Sequence, residues 1–119
     1  MAAKQKIVVE VTTGVTGGKI AYTQPLIGNV LSIQYIKAAS DPYADGVSVL
    51  VVGEDSGETI WSESPVNASV TRRPRLTMHD SGGSDEVVGE TYLCVNERLK
   101  ITVSSAGQYK TGTFVILVG

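Results

Sequence analysis

Apolar residues recur along this chain with a period of two, and that pattern alone removes most folds from consideration. In "ERLKITVSS", Leu99, Ile101 and Val103 alternate with Arg98, Lys100, Thr102 and Ser104. Successive side chains of a β-strand point to opposite faces, so such a segment buries one face and leaves the other in water. The same spacing places Ile7, Val9 and Val11 on one side of "KIVVEV", and Leu31, Ile33 and Tyr35 on one side of "NVLSIQYIK". In "VSVLVVGE", Val47, Val49 and Val51 oppose Leu50 and Val52. The closing "TFVILV" is apolar on both sides and reads as a central strand covered on both faces. No segment carries an apolar stripe of helical spacing long enough for a helix.

Turn signals separate these runs at short intervals. They include Gly14, Gly17-Gly18, Gln24-Pro25, "AASDPYADG", Asp55-Ser56-Gly57, Ser64-Pro65, Ser81-Gly82-Gly83 and Ala106-Gly107. "EDSGE" between Val52 and Ile60 has the form of a tight hairpin. "AASDPYADG" reads as the most flexible internal segment. Strands of this length with such turns predict an all-β chain, an antiparallel β-sandwich or jelly-roll-like barrel of about eight short strands. With 119 residues there is room for one core, so 1–119 is expected as a single domain. Within it, residues 1–25 are expected as an N-terminal hairpin or an assembly arm.

Charge narrows the function classes. Charged residues make up 18% of the chain, below the usual quarter, so the surface relies on Ser, Thr, Gly and Asn. That depletion points to a surface partly covered by other subunits. A net charge of −2 and a pI of about 5.3 provide no overall field to attract nucleic acid. The single cysteine, Cys94, excludes an internal disulfide and reads as a small buried hydrophobe. The start "MAAKQKIVVEVTTG" has neither a signal-peptide core nor a spanning helix, so synthesis in the cytoplasm and no membrane partner are expected.

The stretch "VTRRPRLTMHDSGGSDE" looks the most chemical. His79-Asp80-Ser81 has the residue types of a hydrolase triad, but consecutive residues rarely converge into one. A hydrogen-bonded turn is the better reading. With one His and one Cys a zinc site lacks ligands, and neither Asp80, Asp85 and Glu86 nor Asp41 and Asp45 have the spacing of a calcium loop. No catalytic residue, metal or cofactor is therefore expected. Arg72, Arg73 and Arg75 are too few for phosphate binding without further basic groups, and suit pairing with carboxylates at an assembly contact or a braced corner. Pro74 suits an edge strand or corner. Trp61 reads as a core anchor or a ring lying against an arginine stem. Together with Tyr43 it joins the three arginines as a candidate assembly contact.

The order of these features resembles a group of small tailed-bacteriophage virion proteins encoded among head and head–tail genes. The likeness runs from "GNVLSIQYIK" through "GVSVLVVGED", the Trp-bearing "ETIWSES" and "RRPRLTMHDSGG" to "RLKITVSS" and "GTFVILVG", spanning roughly Gly28 to Gly119. It implies a non-enzymatic bacteriophage structural protein located in the virion, foremost a capsid decoration or cement protein stabilising the head. A head–tail joining or tail-associated protein stands second. Its implied partners are the major capsid protein or neighbouring copies of itself in a homo-oligomer. An alternative of a different class is a carbohydrate- or ligand-binding β-sandwich with Trp61 and Tyr43 as stacking groups.

Overall fold

The computed structural model describes the backbone of residues 5–79 and 86–119 and the side chains of 5–75 and 95–119. Every named element among them is a strand: β1 (Gln5–Thr12), β2 (Lys19–Tyr22), β3 (Leu26–Lys37), β4 (Ser48–Gly53), β5 (Thr59–Glu63), β6 (Val70–Arg72), β7 (Arg75–His79), β8 (Glu86–Glu97), β9 (Leu99–Ser104) and β10 (Thr111–Val118). They form two antiparallel sheets, the arrangement of a β-sandwich. The larger sheet runs β1-β10-β3-β8-β7, with β6 also on β3, and the smaller runs β2-β9-β4-β5. The described residues form ten strands where about eight were expected, and β3 and β8 are longer than the runs suggested, at 12 residues each.

The alternation predicts the buried faces well. Ile7, Val11, Ile33, Tyr35, Val47, Val49, Val51, Leu99, Ile101 and Val103 all lie in the core between the sheets. Burying each such side chain contributes about 1.5–3 kcal/mol. One phase differs from the expectation. The register of β3 against β10 slips between Leu117, which faces Ser32, and Val118, which faces Val30, so Leu31 is an extra residue in a bulge. Val30 then takes the core position, while Leu31 is only half-buried.

"TFVILV" also behaves differently from the expectation. β10 is central, paired to β1 on one side and β3 on the other. Among the described residues only one of its faces is fully buried, however. Gly112, Phe114, Ile116 and Val118 are buried, while Thr113, Val115 and Leu117 stay half-exposed on the outside. Across residues 5–22 the N-terminal segment does not form a hairpin. β1 pairs with β10 in one sheet and β2 pairs with β9 in the other, so the turn between them crosses the sandwich.

The edge of β3 away from β10 is shared. β8 pairs with residues 26–30, and β6 pairs with Ile33, Gln34 and Tyr35. On the N-terminal side of Leu93, β8 pairs among the described strands only with β7, so the β7–β8 hairpin leaves the sandwich where β6 ends. The radius of gyration of 15.2 Å and extents of 46 × 31 × 24 Å agree with such a projection. A compact domain of this length has about 13–14 Å.

Candidate functional site

The Arg-Pro corner lies where β6 ends and β7 begins, with Pro74 between them. Arg72 stands opposite Ile33 on the inward side of β6, at the rim of the sandwich. From there it reaches across to β5 of the other sheet, with Nε 2.7 Å from Glu63 Oε1 and a terminal N–H donating to Oε2 at 2.9 Å. Glu63 Oε1 also accepts from the Trp61 indole N–H at 3.1 Å. The Arg72 guanidinium holds the Glu63 carboxyl below its usual range, with the indole adding to the effect. One carboxylate therefore ties an edge of one sheet to an edge of the other. Arg75 donates to the carbonyls of Pro74 (2.7 Å) and Leu31 (3.3 Å), the second at the bulge where β8 gives way to β6. Arg73 is exposed and makes no hydrogen bond or ion pair among the described residues.

Trp61 and Tyr43 do not face outward. Trp61 packs edge-on to Phe114 at 6.5 Å, joining the two sheets, and Tyr43 is 3% exposed. The Tyr43 ring stacks on Tyr35 with centroids 5.8 Å apart, and its hydroxyl donates to Val11 O at 2.7 Å. Burial pushes both tyrosine hydroxyls up from their ordinary value. A stacking platform for a sugar needs an open ring face, which these two side chains lack. Tyr43 also ties the "AASDPYADG" loop to β1. Ala44 N–H to Ala106 O, Thr111 N–H to Asp41 O and Gly46 N–H to Asn67 Oδ1, each at 2.8 Å, add further ties. His79 closes β7, but its side chain, that of Cys94 and the whole of 80–85 lie outside the described residues.

What remains for partners is the outside of the two sheets, which sequence reasoning passed over. On the larger sheet the register sets three outward rows side by side: Lys6–Leu117–Ser32, Val8–Val115–Gln34 and Glu10–Thr113–Ile36. Val8 is 58% and Ile36 40% exposed, and Ile27 on the same strand as Ile36 is 78% exposed. On the smaller sheet the rows are Ile20–Thr102–Leu50–Ser62 and Tyr22–Lys100–Val52–Thr59. Ile20 is 48% exposed, and the Tyr22 ring carries the Arg98 guanidinium 4.5 Å above it. Arg98 in turn pairs with Glu54. Among the described residues no helix covers either face. The signal for these rows was already present: Val8, Leu50, Val115 and Leu117 are apolar residues at the out-of-phase positions of their strands.

No protein-family model and no curated protein matches the chain. Among solved structures, the crystal structure of FlhE is similar at a TM-score of 0.51 and 10% identity, covering 98% of each chain. A Bacillus endospore appendage, described within a novel family of disulfide-linked pili, is similar at 0.45 and 13% identity, covering 98% of this chain and 84% of that one. At these identities the FlhE match shows a shared fold. The bacteriophage resemblance rests on sequence pattern.

Proposed function

We propose that this chain is a structural subunit of a tailed-bacteriophage particle, bound to the head as a decoration or cement protein. The observation that carries the reading is the pair of outer sheet faces, where exposed Val, Ile, Leu and Tyr alternate with Ser and Thr and few charges intervene. A sheet face that carries several exposed apolar side chains suits contact with another protein surface. Hydroxyl-rich, charge-poor rows suit broad contact with other protein surfaces better than steering of a charged ligand. Repetition on a symmetric particle makes modest contacts effective through avidity. The partners in this reading are the major capsid protein and neighbouring copies. A position at the head–tail junction uses the same surfaces and is the second reading within the class. The carbohydrate-binding alternative loses its stacking groups to the core.

The test is stoichiometric. Purified particles are expected to contain many copies of the chain, and particles lacking it are expected to break at lower temperature or under osmotic shock. Particles that contain none of it would remove the proposal. Few copies confined to the vertex of tail attachment would select the head–tail reading.

A further inference from the structure

β1 is the outer strand of the larger sheet. β10 pairs with one of its edges along all eight residues, and no described strand pairs with the other. The direction of its free backbone groups follows from the next residue. Thr13 donates its N–H to Lys110 O, in the same register. Hydrogen-bonded residues alternate along an antiparallel ladder. Gln5, Ile7, Val9 and Val11 therefore turn their backbone groups to β10, and Lys6, Val8, Glu10 and Thr12 turn theirs to the open edge. Edge strands are blunted by proline, a bulge or charged side chains such as lysine, and the two charges on β1, Lys6 and Glu10, are of opposite sign. β1 contains no proline, and its register with β10 is unbroken.

We propose that β1 is a homotypic docking edge: two copies pair β1 with β1 antiparallel about a two-fold axis at Val8, merging their larger sheets into one. The occupant is a second copy because the charge pattern of this edge matches its own reverse. Among the ladders that set outward-turned backbone groups against one another, centring on Lys6 or on Glu10 puts like charges face to face. The intermediate registers place a charge opposite Val8. Centring on Val8 sets Lys6 against Glu10 of the partner subunit on both sides of the axis. Opposite charges across a strand pair stabilise it and like charges destabilise it. Val8 then faces Val8 of the partner subunit, and the exposed apolar row of Val8 and Val115 continues across the axis. Isologous pairing of this kind closes a dimer. It needs no particle and stands whether or not the chain belongs to a virion.

Sedimentation equilibrium of the full chain over about 1–200 µM tests the pairing. The wild-type protein is expected to dimerise. Glu10→Lys and Lys6→Glu are each expected to weaken the dimer about tenfold or more. An equimolar mixture of those two variants, and the double variant Lys6→Glu/Glu10→Lys, are expected to pair as the wild type does, since each restores opposite charges across the axis. Val8→Pro removes the central intermolecular donor without touching the β10 ladder and is expected to leave a monomer. Circular dichroism and thermal unfolding confirm that each variant is folded. A wild-type monomer across the whole range overturns the proposal. So do single charge variants that dimerise as tightly as the wild type, or a mixture that fails to pair.

Discussion

The Tyr43 hydroxyl offers the most quantitative test of how this sandwich holds its longest internal loop. Tyr43→Phe keeps the ring on Tyr35 and removes only the bond to Val11 O. That carbonyl belongs to a ladder pair with Gly112, so it keeps a donor after the substitution. The loss is then that of one ordinary buried hydrogen bond, about 1 kcal/mol, with no orphaned acceptor to add to it. For a chain of this size that lowers Tm by about 4 °C at neutral pH. The deficit has a pH dependence of definite sign. Burial raises the folded pKa of Tyr43 above the ordinary phenol value of about 10, so its contribution is complete below that pH and is lost as pH rises further. At pH 11 the unfolded phenol alone ionises, which costs the wild type about 1.4 kcal/mol that the Phe variant does not lose. The two stability curves should therefore cross a little below pH 11, with Tyr35 acting equally in both. Thermal unfolding by circular dichroism from pH 7 to 11, paired with tyrosinate absorbance, follows this directly. A Tm difference that is absent at pH 7, or unchanged at pH 11, would refute the argument.

Gly112→Ala should destabilise the fold by about 1–3 kcal/mol, because the new methyl meets the Tyr43 and Tyr35 rings at 2.5 and 2.8 Å and overpacks the stack; chemical denaturation measures it. The Arg72 guanidinium holds Glu63 below the ordinary glutamate value of 4.5, so the Arg72–Glu63 tie stabilises above that value and is lost as pH falls through the folded pKa. Arg72→Ala should accordingly flatten the decline of Tm below pH 4.5, and an unchanged acid limb would contradict the tie. The Glu97 carboxylate accepts the amides of Asp55 (2.6 Å) and Ser56 (3.0 Å) and is lowered chiefly by its bonds to Ser56. Glu97→Ala should speed hydrogen exchange at those two amides while leaving the core amides protected.

The corner at residues 70–75 shows how much of the candidate site was legible. Pro74 as a break between edge strands and the pairing of Arg72 with an acid could both be read from residue types, because proline lacks a donor and guanidinium seeks carboxylate wherever they fold, whereas Arg75 turned to backbone carbonyls instead. That Arg72 reaches Glu63, and through it Trp61, could not. Glu63 belongs to the other sheet, and nothing local marks that approach. Trp61 and Tyr43 invited a surface role as large amphipathic rings, but their burial depends on Phe114, Tyr35 and Val11 meeting them from distant strands. The outer rows were visible only as out-of-phase apolar residues, which in "TFVILV" looked the same as a strand covered on both sides.

By itself the sequence determined the strand class, most turn positions and the inward face of nearly every strand, since a period of two is written in consecutive residues. Tertiary structure decided which strands are neighbours, that β1 and β2 enter different sheets, that β3 slips phase at Leu31, and that β1 ends as an open edge. The physical reason is that strand pairing joins residues far apart in the chain, whereas an edge strand and a central strand share the same alternation until their hydrogen-bond partners are known.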